Sequence, residues 1–163
     1  MLTEIRKISS LLLSVAFSSI GFIASITVTV LAAREVSNNP LFVGFPNAVG
    51  VGGAVLGTRM IYLISKSNSQ LNALAFTFLI GAFGGAIMFY SLIIDSFLVL
   101  LLGAFILGIG QSATLQTRYA ASFVAGAEFK ATALSLAVWF SVFGSIFGPV
   151  SYTHLTLPTT YGV

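Results

Sequence analysis

Apolar residues run along this chain in long blocks, and polar or charged residues come in short interruptions between them. Read from the amino terminus, the interruptions are REVSNNP, SKSNSQ, the lone Asp95 and RYAASFVAGAEFK. They predict five helices, at about 9–32, 41–64, 71–94, 96–117 and 131–149. Each block has roughly the 20 residues that a helix needs to cross the hydrocarbon core of a bilayer. A membrane barrel strand is about half as long and alternates apolar with polar residues. No block here alternates, so the expected class is all-α, a multi-pass helical membrane protein with five transmembrane helices.

Composition agrees with the pattern. Charged residues are 7% of the chain and hydrophobic residues 57%, with a mean hydropathy of +1.04. A water-soluble domain carries about 25% charged residues, so the lipid bilayer is the expected partner. The net charge of +3 comes from scattered Lys and Arg without a basic run, which gives no nucleic-acid signal. With no cysteine, disulfides and thiolate metal sites are excluded. The first apolar block continues to Ala33 without a distinct small-residue cleavage site, which argues against a removable signal peptide.

Basic residues favour the cytoplasmic side of a membrane. With the N-terminus in the cytoplasm, Arg6, Lys7, Lys66 and Lys130 lie inside and Arg59 and Arg118 at inner helix ends. Arg34 alone lies outside. The expected location is the plasma (inner) membrane, N-terminus cytoplasmic.

Small residues let membrane helices approach closely. Pro46, Gly50, Gly53 and Gly57 share one face of the second helix by their spacing. Ser14, Ser18, Gly21 and Ser25 do the same on the first helix, and Ser141, Gly144 and Gly148 on the fifth. These are read as helix-packing faces, although the serines of the first helix could also line an aqueous cavity. The glycines around Pro46 lower helix propensity, so bending there is an alternative to close packing alone. The fourth helix is the most polar, with Gln111, Thr114 and Arg118 on one face. Polar groups at membrane depth face a bundle interior or a water-filled path. The bland alternatives are an interhelical hydrogen bond for Gln111 and a snorkelling Arg118. Trp139 lies too deep for an interfacial belt and is either a packing anchor or a cavity wall.

The four acids, Glu4, Glu35, Asp95 and Glu128, all fall at or near expected membrane surfaces. No catalytic acid pair, metal-ligand cluster or phosphate-cradling loop is present in the sequence. An enzyme is therefore not expected, nor is a cofactor or a bound metal.

Three stretches carry a family likeness. LGIGQS, at 107–112, resembles the fourth-helix motif of the major facilitator superfamily (MFS) of transporters. SVFGSIFGP, at 141–149, resembles the Gly-x-x-x-Gly-Pro motif of that family's antiporters. The block from Gln116 to Pro149 is similar to one bacterial branch. The likeness covers residues 1–149 and implies a partial N-terminal half, five helices of six, whose partner would be a C-terminal half. It implies alternating access for a small organic solute, as efflux or antiport, with this portion inactive alone. Helices 1, 2, 4 and 5 would line the cavity and helix 3 would face lipid. Asn47, Gln111 and Trp139 would be cavity contacts, with Arg59 and Arg118 as gate or anchor residues. Two departures stand out: the family's fourth-helix arginine falls at Ala104, and the loop after helix 2 keeps Gly57, Arg59 and Lys66 but has no acid.

The last residues, from Ser151 on, are rich in threonine and uncharged and hold the only histidine. VSYTHLTLPT, at 150–159, resembles the translation of a transposase-based sequencing-library adaptor. Residues 150–163 are accordingly expected to be non-native, to pack against nothing, and to give His154, Tyr152 and Pro158 no role. The adaptor reading extends to the last two bases of the Pro149 codon as well. The competing reading is a complete small five-helix membrane protein with a structural or assembly role. The coding frame beyond Gly148 separates the two.

Overall fold

The structure, a computed structural model, describes residues 2–37, 40–67, 69–124 and 130–142. They form helices α1 (Leu2–Val36), α2 (Phe45–Ser67), α3 (Gln70–Ile93) and α4 (Phe97–Val124), with α5 described over Lys130–Val142. A 3-10 turn at Pro40–Phe42 leads into α2. There are no strands among the described residues. Among the described residues, four spans are long and apolar enough to cross a membrane: Leu13–Val36, Pro40–Ser67, Gln70–Ile93 and Phe97–Ala120. The described part of α5 is shorter and apolar.

Helix ends follow local chemistry. α1 continues through Arg34 and Glu35 to Val36, because both are good helix formers and long enough to reach water from a membrane boundary. Pro46 is the second residue of α2. Its missing N–H is one that the first turn leaves without an intrahelical acceptor, so it opens the helix without kinking it. Ser69 caps α3 by accepting from the Asn72 N–H. The turn into α4 is only a few residues long. Asp95 takes a positive φ of 50°, and the Ser96 N–H returns to the Ser91 carbonyl at 3.1 Å. This is the six-to-one closure of a left-handed helix cap, and it sends α4 back antiparallel against α3.

α4 stands at the centre. Half of its span is buried, against 22–28% for the other three, and its largest interfaces are with α3 and α2. Glycines make both interfaces. A Cβ on Gly108 would strike the Gly50 carbonyl, and one on Gly53 would strike that of Phe105. On the other side, Gly81 and Gly110 face each other so closely that a Cβ on Gly110 would come within 2.5 Å of the Gly81 Cα. Pro46, Gly50, Gly53, Gly57 and Ile61 form the buried stripe of α2. Buried hydroxyls along these contacts bond within their own helices, as Thr77 does to the Ala73 carbonyl (2.8 Å) and Thr117 to that of Ala113 (2.7 Å). They act as small packing residues that need no partner elsewhere.

The outer surface is apolar. Phe17, Leu79, Phe83, Phe89 and Leu98 are 68–77% exposed. In water this would be a continuous sticky surface; in a bilayer it is ordinary contact with lipid. α3 therefore has two characters, an outer face of Phe76, Leu79 and Phe83 and an inner face of small residues on α4.

Candidate functional site

Among the described residues, two clusters of interhelical polar contacts lie along α4. The upper one centres on Gln111. Its Nε2 donates to the Ser25 Oγ of α1 at 3.4 Å, and the Ser25 hydroxyl donates to the Phe22 carbonyl at 2.7 Å. Half-buried Gln111 divides two cavities. One, of about 200 Å³, lies between α1, α2 and α4 and is lined by Phe22, Thr29, Asn47, Val51 and Leu107 among others. The second, of about 220 Å³, lies between α1, α3 and α4, with Ser18, Gly21, Phe78 and Thr114 in its walls. A third, of about 230 Å³, continues along α1 and α3 toward Met88. Among the described residues, no charged one lines any of the three.

The lower cluster is about 10 Å along α4, seven residues at 1.5 Å each. Half-buried Arg118 donates from Nη2 to the Ser141 Oγ of α5 at 2.7 Å. Ser19 of α1 also donates to Ser141, at 3.2 Å. The Arg118 Nε is buried and has no hydrogen-bond partner. The guanidinium ties α4 to α5 and, through Ser141, to α1, without a carboxylate beside it among the described residues.

Asn47 and Gln111 thus meet across one cavity, joined by Phe22, Ser25 and Thr29 of α1. Trp139 does not join them. The buried stripe of α5 is Ala133, Ala137 and Ser141, and Trp139, two residues from Ala137, falls on the opposite side and is 62% exposed. Arg59 is exposed on α2, away from the cavities. Gly50, Gly53 and Gly57 lie against α4. Gly144, Gly148 and the tail from 150 to 163 lie outside the described residues. Of the α1 stripe, Ser25 meets α4 through Gln111; Gly21 has open space around it, and Ser18, Gly21 and Ser25 line the α1–α3–α4 cavity. α3 lines that cavity too, through Phe78, Gly81 and Ala82. Ser19 had no signal in the sequence, since it lies off the small-residue stripe of α1.

The fold and this site define a multi-pass helical membrane protein with uncharged cavities inside its bundle. Comparison with known proteins gives the class. The chain is 30% identical over 137 residues to the uncharacterized MFS-type transporter YdeG of Bacillus subtilis, covering 84% of this chain and 32% of the relative. It is 30% identical over 144 residues to a second such protein of that organism, YddS, covering 88% and 33%. A riboflavin transporter of Brucella anthropi, RfnT, is 29% identical over 130 residues, covering 78% and 33%. No family model matches, and no solved structure matches. The chain belongs to the MFS-type transporters and spans about a third of the length of the curated relatives it matches.

Proposed function

We propose that the complete protein is a secondary transporter of a small organic solute, working by alternating access, with efflux or antiport as the mode. This chain supplies five helices of its N-terminal half and part of the solute path. The observation that carries the reading is the charge-free cavity where Asn47 and Gln111 meet between α1, α2 and α4. Polar groups at membrane depth that face a cavity mark a solute path by default. The relative named as a riboflavin transporter supports an organic solute for the whole protein.

Orientation in the bacterial inner membrane follows from the basic residues, with the N-terminus inside. The chain has no cysteine, so a single Glu35→Cys is expected to react with an impermeant maleimide in intact cells and Ser67→Cys only after lysis. Residues 150–163 are proposed to be non-native, on their likeness to a translated adaptor.

Flux tests the function. The complete reading frame, reconstituted in proteoliposomes, is expected to move its solute, and Gln111→Leu is expected to lower flux at least about tenfold. That factor corresponds to the loss of one well-placed hydrogen bond in an apolar cavity. Unchanged flux in the Leu variant would remove Gln111 from the path.

A further inference from the structure

Asn47 is the third residue of α2 and is half-buried at the wall of the α1–α2–α4 cavity. Its carboxamide has no hydrogen-bond partner among the described residues. An amide presents a donor and an acceptor side by side. Gln111 gives one N–H to Ser25 and leaves its carbonyl oxygen without a partner on the same cavity. Thr29 also lines it, but its hydroxyl donates to the Ser25 carbonyl at 2.6 Å. The Phe22 ring, Ile26, Val51 and Leu107 supply apolar walls. A charged solute entering here would lose its hydration and meet no opposite charge, which is strongly unfavourable. An uncharged solute with a paired donor and acceptor would satisfy the Asn47 amide while its flat body covers apolar surface.

We propose that this cavity recognises an uncharged, planar solute through an imide or lactam edge that pairs with the Asn47 carboxamide. The Gln111 oxygen takes a further donor from the same solute where one exists. The proposal rests on the cavity being a solute path and adds the class of solute. It also assigns Asn47 as the residue that selects an N–H/C=O edge, with Phe22 beside it as an apolar wall.

The test uses the complete protein in lipid nanodiscs and three fluorescent probes built on one naphthalene core. They are 1,8-naphthalimide, its N-methyl derivative, and 2-naphthoate as the anion. Binding is read by fluorescence anisotropy at neutral pH, where the imide is uncharged. The expected result is saturable imide binding, with the N-methyl imide and the naphthoate each at least about tenfold weaker. That is the effect of one or two hydrogen bonds lost in a desolvated site. Asn47→Leu, which keeps the side-chain size, is expected to bring the imide down to the level of its N-methyl derivative. Equal binding of the N-methyl imide, or tighter binding of naphthoate, overturns the proposal and leaves the cavity as a solute path. Binding of none of the three also overturns it, and flux through the complete protein then decides the solute-path reading on its own.

Discussion

Gly108→Ala is expected to lower the stability of the bundle by about 2–3 kcal/mol, the upper range for forcing extra volume into a packed contact. Gly21→Ala, the same change on α1, is expected to raise it by up to about 1 kcal/mol. The contrast follows from geometry. At Gly108 the added methyl would strike the backbone carbonyl of Gly50. A carbonyl in the middle of a helix cannot rotate aside, so α2 as a whole must withdraw from α4. That withdrawal also opens the contact of Gly53 with Phe105. At Gly21 nothing lies within 4 Å, so the methyl adds helix propensity alone. Unfolding by SDS in detergent micelles, followed by far-UV circular dichroism, measures both. Equal effects of the two substitutions would mean that α2 and α4 are not in backbone contact.

Arg118→Met is expected to stabilise the bundle by about 1–2 kcal/mol while impairing transport in the complete protein. The guanidinium has a single hydrogen bond, to Ser141, and its buried Nε has no acceptor. Replacing a poorly compensated buried charge by an apolar side chain of similar length is often neutral or stabilising. Ser141 keeps its bond from Ser19 after the substitution. Stability and activity changing in opposite directions would mark Arg118 as kept for function rather than for the fold. The same SDS unfolding measurement reads the first effect and proteoliposome flux the second. A loss of stability would mean that the charge is well compensated, and would make Arg118 a structural tie between α4 and α5.

The small-residue stripe of α2 was legible because it needs only helical periodicity. Residues four and three apart stack on one face, and glycines there have few roles besides close approach. The partner of a stripe is a different matter. The Ser18–Gly21–Ser25 stripe on α1 has the same spacing, yet it borders a cavity and touches α4 only through the Ser25–Gln111 hydrogen bond. Nothing within α1 encodes whether a neighbour lies against that face. Gln111 was legible because an amide at mid-span has few ways to be satisfied in lipid. Trp139 was judged by its depth along α5, but exposure depends on rotation about the helix axis. The Ala133, Ala137 and Ser141 stripe sets that rotation and turns the indole outward. Helix 3 was assigned to lipid as a whole, whereas its Gly81 and Gly84 seat α4 and its Phe78 reaches a cavity. Arg118 was legible as a charge in the C-terminal part of α4; its link through Ser141 to Ser19 depends on three helices meeting.

The central claim is that this chain is one part of an MFS-type transporter. A long sequencing read across its locus, covering the codons from Gly144 onward, tests that most directly. The account predicts an open frame that leaves the VSYTHLTLPT sequence behind and continues into a sixth span and a second half. The total length would then be about three times the present chain, in keeping with relatives of which it covers 32–33%. A genomic stop codon directly after Val163, with the tail encoded in place, would contradict it and favour a small five-helix membrane protein.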